Sequence, residues 1–123
     1  MHADGRPRIE VAVHRSADYE RIVDEITRGH VVIASPIRSH FWSHIPAEYH
    51  RFIFRKEELT YQPENHERVH PHRLASHDEI QSLPRGTLPA IRSYDIMCRV
   101  CGFVVGDIIA IERPSGVYYR RVV

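Results

Sequence analysis

Two cysteines with the spacing C-x-x-C, Cys98 and Cys101, are the residues of this chain with the clearest capacity for chemistry. Two thiolates at this spacing can chelate zinc or form a redox-active disulfide. A structural zinc site needs two further ligands, and the nearest histidine in the sequence is His77. A thioredoxin-type site places its first cysteine directly after a strand, whereas Cys98 lies inside a predicted helix. We therefore expect both cysteines to pack in the apolar core, with a small zinc or redox protein as the alternative.

Four histidines fall close together near the middle of the chain and could hold a metal or move protons. They are His66, His70, His72 and His77. Their spacing matches no metal-binding signature, and neither a nucleophile nor a pair of carboxylates stands beside them. Gly102 and Gly106 likewise lack the strand-to-helix setting of a phosphate-binding loop. We expect no catalytic residue, no metal and no cofactor, and a protein that is not itself an enzyme.

The charge balance argues against a dedicated nucleic-acid-binding domain. The formal net charge of the 123 residues is only +1, and basic and acidic side chains nearly balance in each half of the chain. Any contact with DNA must therefore be local. All but one of the 17 basic residues are arginine, the exception being Lys56. A free-standing nucleic-acid-binding module that uses these scattered arginines is a third hypothesis.

Composition also bears on where the protein works. Hydrophobic residues make up 42% and charged residues 27% of the chain, which is typical of soluble globular proteins. No segment approaches the ~18 consecutive apolar residues of a membrane span, and the polar N-terminus does not resemble a signal peptide. Two cysteines are too few for a disulfide framework, which favours a reducing compartment. We expect a protein that is neither secreted nor in a membrane.

The N-terminal half shows a β-α-β pattern. Apolar and polar residues alternate over 9–13, which predicts a strand, and Ser16 can cap a helix over 17–28 that stops at Gly29. Residues 31–34 predict a short buried strand, which could pair parallel to the first. A loop or short helix over 37–48 should turn its aromatic side chains inward, and 51–54 predict a further strand.

The C-terminal half predicts two short helices and a hairpin. Ser76 and Glu79 form a capping box at the start of a helix that runs toward Leu83, and residues 85–87 form a turn. Asp95, or Ser93 before it, can open a second helix that ends at Gly102 in the left-handed conformation. Residues 104–107 turn into a strand over 108–111, and a turn at 114–116 leads to the return strand over 117–122.

An ordered series of residues in this half resembles the fifth-subunit family of DNA-directed RNA polymerases, which has archaeal and eukaryotic members. The series reads Leu88-Pro89-Ala90-Ile91, Asp95, Arg99, Gly102, Gly106-Asp107, Ile111, Arg113-Pro114-Ser115 and Tyr119-Arg120. An upstream stretch continues the resemblance without a gap through Glu58-Leu59, His66-Glu67, Val69, His72, Ser76 and Asp78-Glu79. The family usually has proline where this chain has Ile96, and the final hairpin is shorter here.

The resemblance implies an α+β protein with two parts. Residues 66–123 would form the assembly domain, a small mixed β-sheet flanked by short helices and ending in a β-hairpin. Residues 1–65 would form a small α/β domain, a shortened form of the jaw that eukaryotic members carry beside downstream DNA. The implied function is that of a non-catalytic polymerase subunit, because the nucleotidyltransferase activity of these enzymes resides in other subunits.

The resemblance also names partners and site residues. The implied partners are the largest polymerase subunit and other subunits, and DNA contact is expected through the N-terminal part. The location would be the nucleus, or the virion or virus factory if the polymerase is viral. The residues assigned to forming or presenting the assembly surface are Pro89, Asp95, Arg99, Gly102, Gly106, Asp107, Arg113, Tyr119 and Arg120. Among them, Arg99, Arg113 and Arg120 are the ones expected to contact a partner.

Overall fold

The N-terminal part is a three-stranded parallel sheet in the order β1-β2-β3, with one helix packed against it. The computed structural model describes residues 5–59, 68–84 and 86–123. Strand β1 spans Arg8–Ala12, helix α1 spans Ala17–Thr27, and strand β2 spans Val31–Ser35. Strands β1 and β2 pair in parallel over their whole length, which confirms the predicted β-α-β order. Ile22 and Ile26 lie on the buried face of α1, as their helical spacing predicts.

The start of α1 is stabilised differently from the sequence prediction. Ser16 occupies the N-cap position, but its side chain makes no capping hydrogen bond. The Asp18 carboxylate instead accepts hydrogen bonds from the backbone amides of His14 and Arg15, at 2.8 and 3.0 Å. These amide bonds lower the pKa of the Asp18 carboxyl. A carboxylate in the first turn also interacts favourably with the helix dipole.

Two 3-10 helices, Phe41–His44 and Ala47–Phe52, follow β2. The prediction that this segment turns its aromatic residues inward is confirmed, because Phe41 and Trp42 are both buried. The predicted strand over 51–54 is wrong in its first half. The second 3-10 helix continues through Phe52, so β3 is limited to Ile53–Phe54, which pairs with β2 in parallel. A third 3-10 helix spans Lys56–Leu59.

The C-terminal part is a four-stranded mixed sheet in the order β4-β6-β7-β5. Its elements are β4 (His72–Leu74), α2 (His77–Ser82), β5 (Ala90–Ile91), α3 (Ile96–Cys101), β6 (Ile108–Arg113) and β7 (Gly116–Val122). The β6–β7 hairpin and the β4–β6 pair are antiparallel, whereas β5 runs parallel to β7. With the small α/β part before it, this architecture confirms the expected α+β fold class. The strands β4 and β5 were not predicted from the sequence.

Helix α3 lies between two hydrophobic cores. Met97 and Val100 pack with the N-terminal core around Ile22, Phe41 and Phe54. Cys98 packs with Phe103, Ile109, Ile111 and Val122 beneath the mixed sheet. Because one six-residue helix contributes to both cores, the two parts of the chain are packed together through α3. The predicted domain boundary at residues 65 and 66 lies outside the described residues, as do His66, Glu67 and Arg85.

None of the helices in the described ranges is long and apolar enough to cross a membrane.

Candidate assembly surface

Four of the nine residues assigned to the assembly surface hold the backbone in place. The Asp95 carboxylate accepts a hydrogen bond from the amide of Met97 at 2.9 Å, so Asp95 caps the start of α3. Gly102 ends α3 in the left-handed conformation at φ 75°. The Gly106 amide donates to the carbonyl of Val122, and the Asp107 carboxylate accepts from the amide of Val104, which closes the turn before β6.

Arg99 lies in the interior, so the expectation that its guanidinium contacts a partner is wrong. Its side chain is 2% exposed and forms a bidentate pair with the Glu58 carboxylate, at 2.7 and 2.8 Å. It also donates to the carbonyl oxygens of Tyr94 and Ile53, at 2.8 and 3.1 Å. The guanidinium carbon lies 4.9 Å from the ring centroid of Trp42. Arg99 therefore ties α3 to β3 and to the third 3-10 helix.

Tyr119 belongs to a hydrogen-bonded network that covers the sheet face opposite α3. Its hydroxyl donates to the Glu79 carboxylate at 2.6 Å, and Arg73 forms a bidentate pair with the same carboxylate. Arg73 also pairs with Glu112 at 2.9 Å. The hydrogen bond from Arg73, with others from Ser76 and Tyr119, holds the pKa of the Glu79 carboxyl well below its usual range. The network fastens α2 to β4 and β7 over the buried Ala110.

Arg113, which is exposed, and Arg120, which is half-buried, lie with Leu74 and Tyr118 on the α3 side of the sheet. Leu74 and Arg120 flank Ile109 in the pairing register, and Tyr118 lies opposite Ile111, so all share the face of those core residues. Leu74 is 54% and Tyr118 is 40% exposed. The Arg113 guanidinium stacks over the Tyr118 ring at 4.7 Å. We call these four residues, Leu74, Arg113, Tyr118 and Arg120, the hairpin face.

The remaining assigned residue, Pro89, lies exposed just before β5, where its carbonyl accepts from the amide of Arg121 at 2.9 Å.

The two cysteines lie where core packing places them. Cys98 is fully buried and Cys101 is half-buried. Burial, reinforced by the nearby Asp95 carboxylate, raises the pKa of the Cys98 thiol to about 12, which keeps it protonated at neutral pH. Among the described residues, no group of three or more His, Cys, Asp and Glu side chains could hold a metal ion. The prediction that Cys98 packs in the core is confirmed.

Thiol labelling should distinguish a packed Cys98 from a reactive one. In a Cys101→Ser variant, we expect Cys98 to react with a disulfide reagent at least roughly a hundredfold more slowly than in the denatured chain, because labelling requires opening of the fold. The rate is followed by absorbance, and a Cys98→Ser variant reports Cys101 by itself. Equal rates in the native and denatured chains would contradict a buried thiol. Stoichiometric zinc that is lost in the double serine variant would favour the zinc protein.

Three features of the structure could not be found from the sequence. They are the pairing of Arg99 with Glu58, the buried His50, whose ring bonds to Ser93, and a pocket at the end of the parallel sheet. Arg99 carries one local signal, since it stands among Met97, Cys98 and Val100 on a short helix that is otherwise apolar.

A scan against models of known protein families finds no match, and a search of curated proteins finds no significantly similar sequence.

Proposed function

We propose that this chain is a non-catalytic subunit of a multisubunit DNA-directed RNA polymerase, similar to the fifth subunit of these enzymes. In this proposal residues 66–123 dock on the largest subunit, with further contacts to other subunits. Residues 1–65 act as a shortened jaw that supports downstream DNA during transcription. The protein would work in the nucleus, or in the virion or virus factory if the polymerase is viral.

One observation carries the proposal: residues from the upstream stretch of the series contact residues from its downstream stretch. Glu58 and Arg99 are 41 positions apart and form a buried bidentate ion pair. Glu79 and Tyr119 are 40 positions apart and share a hydrogen bond. A chance collection of matches has no reason to pair in this way. The pairing supports the interpretation that the series belongs to one structural unit.

The hairpin face is the part of this unit that we propose to meet the largest subunit. It joins two arginines to an exposed tyrosine and an exposed leucine, and arginine and tyrosine are enriched at protein interfaces. The other assigned residues cap helices, close turns or bond internally, so we propose that they shape the surface without touching the partner. Arg113 and Arg120 are the contacts most open to test.

The test is purification of the tagged chain from its native cell, followed by mass spectrometry. We expect the largest polymerase subunit to copurify in comparable amount, and the isolated chain to catalyse no nucleotidyl transfer. Charge reversal at Arg113 and Arg120 (R113E with R120E) should lower recovery of that subunit by about tenfold or more, the effect of losing interface hot spots.

Arg121 provides the matched control. It is exposed on the same strand, next to Arg120, but its side chain points to the opposite face of the sheet. Arg121→Glu should therefore leave recovery of the largest subunit unchanged. Equal losses in both variants would argue against the hairpin face. Recovery of the wild-type chain as a polymerase-free monomer would overturn the proposed function as a whole.

A further inference from the structure

A pocket of about 400 Å³ opens at the carboxyl end of the parallel sheet. Val13 follows β1 and Pro36 follows β2, and both line the pocket. Ligands of α/β sheets generally bind outside the carboxyl ends of parallel strands, and small-molecule sites begin at ~300 Å³. The pocket is thus large enough for a small molecule.

Half of the ten residues that line this pocket are arginine or histidine. Two are arginines, Arg15 and Arg38, and three are histidines, His14, His40 and His44. None of the described residues that line it is acidic. Within the described part of the chain, neither arginine forms a salt bridge. The charge of Arg15 nevertheless helps to lower the pKa of the Asp18 carboxyl, and Arg38 also lines a neighbouring hollow that contains Glu58. Arginine is the side chain best suited to bidentate contact with a phosphoryl group.

The Asp18 carboxylate beside this pocket is already engaged in hydrogen bonds. Asp18 is held by the backbone amides of His14 and Arg15, and its carboxylate points to that loop. Those two amides are therefore not free to hold an anion. The side chains of Arg15 and Arg38 would therefore have to hold it.

Aromatic rings also line the pocket, next to the arginines and histidines. The Tyr19 ring stacks on the His44 imidazole, with centroids 4.5 Å apart and an angle of 16° between the planes. Tyr19 also contacts Phe41, whose ring lies 5.8 Å away. Flat aromatic surfaces of this kind pack well against a nucleobase or another planar ring.

We propose that this pocket binds a small phosphorylated ligand of mononucleotide size. The phosphoryl group lies between Arg15 and Arg38, and the ring of the ligand packs against Tyr19 and His44. The site shares no residue with the hairpin face, and its existence does not rest on the polymerase proposal.

Calorimetric titration of the full chain at low ionic strength tests the proposal, with adenosine monophosphate, inorganic phosphate and a short DNA duplex as probes. We expect adenosine monophosphate to bind more tightly than phosphate. Arg15→Gln and Arg38→Gln should each weaken binding by about tenfold, as expected for loss of a charge-assisted contact. Arg21→Gln is the matched control, because Arg21 is exposed on α1 but does not line the pocket.

A second variant separates insertion into the pocket from attraction to its charge. Ser16 lines the pocket, is exposed and makes no capping bond, so Ser16→Phe should fill the pocket without unfolding the chain. We expect this variant to lose binding of adenosine monophosphate, while the midpoint of its thermal unfolding stays near that of the wild type. If the Ser16→Phe variant binds adenosine monophosphate as tightly as the wild type, the proposal is overturned.

The other probes give outcomes of their own. Equal affinity for phosphate and adenosine monophosphate would support the phosphoryl site and overturn the ring contact. Binding of duplex DNA, without binding of either small probe, would overturn the pocket and assign the arginines to a DNA-facing surface of the proposed jaw. Failure of all three probes to bind would overturn the proposal while leaving copurification with the polymerase untouched.

Discussion

Replacing Arg99 by alanine should lower the free energy of unfolding by about 3–5 kcal/mol, the usual effect of removing one member of a buried ion pair. The side chains of Arg99 and Glu58 are 2% and 9% exposed. The substitution would leave the Glu58 carboxylate without its bidentate partner. It would also remove the donor to the carbonyl oxygens of Tyr94 and Ile53. Urea denaturation followed by circular dichroism measures the loss.

Arg55 is the matched control for this experiment. Its guanidinium lies 3.7 Å from the same Glu58 carboxylate, but the Arg55 side chain is 36% exposed. Pairs that water reaches contribute less than ~1 kcal/mol, so Arg55→Ala should have a small effect. If Arg99→Ala lowered the free energy of unfolding no more than Arg55→Ala does, the interactions of Arg99 would not be what holds the two parts of the chain together.

The ion pair between Arg99 and Glu58 should also make the free energy of unfolding depend on pH. Burial raises the pKa of the Glu58 carboxyl, but hydrogen bonds from Arg99 and from the amide of Arg55 outweigh it, so the pKa lies below the ordinary 4.5. A lowered carboxyl pKa adds stability above the ordinary value, and this stability is lost as pH falls through the lower, folded-state value. The stabilities of the wild type and Arg99→Ala should therefore converge as the pH falls below 4.5.

Local signals predicted most elements of the fold. The capping box of Ser76 and Glu79 is present with both of its hydrogen bonds, and Gly102 ends α3 at positive φ. Each depends on residues a few positions apart, whose preferences act before any tertiary contact forms. The apolar spacing in α1 and the turn residues around the β6–β7 hairpin are signals of the same kind.

Long-range pairing accounts for what the sequence could not predict. Strands β4 and β5 have three and two residues and exist because they pair with β6 and β7. So short a run has no periodicity of its own. Arg99 was misplaced for the same reason, since the carboxylate that makes its burial tolerable is 41 positions away. Apart from its apolar neighbours on α3, the sequence gives no sign of the partner that lets Arg99 be buried.

The second large effect should come from His50, a buried histidine that joins the two parts of the chain. Its Nδ1 lies 2.8 Å from the Ser93 hydroxyl, and its Nε2 lies 2.8 and 3.2 Å from the carbonyl oxygens of Ile45 and Trp42. Because carbonyl oxygens only accept hydrogen bonds, Nε2 must carry the hydrogen and Nδ1 accepts from Ser93. Replacing His50 by alanine leaves these groups unpaired around a cavity, so we expect a loss of about 2–4 kcal/mol.

The protonation of His50 gives this site a pH dependence of its own. Burial lowers the pKa of the imidazole below the ordinary 6.5, in part offset by the Ile45 and Trp42 carbonyls, and the charge of Arg99 lowers it further. The folded state therefore resists protonation, while the unfolded chain takes up a proton near 6.5. The contribution of His50 to the free energy of unfolding should be complete above pH 6.5. It should fall as the pH drops from 6.5 through the lower pKa that His50 has in the folded state.

A glutamine at position 50 isolates this effect. Gln keeps hydrogen-bonding capacity but cannot titrate, so His50→Gln should be less stable at neutral pH and yet lose less stability between pH ~7.5 and ~5. His44→Gln is the control, because His44 is exposed at the end of the preceding 3-10 helix, Phe41–His44. This pH range lies above the one in which Glu58 and Glu79 affect stability, because the lowered pKa values of those carboxyls lie below 4.5. An unchanged pH dependence in His50→Gln would show that another group senses acid, and the buried His50–Ser93 bond would then be a structural contact alone.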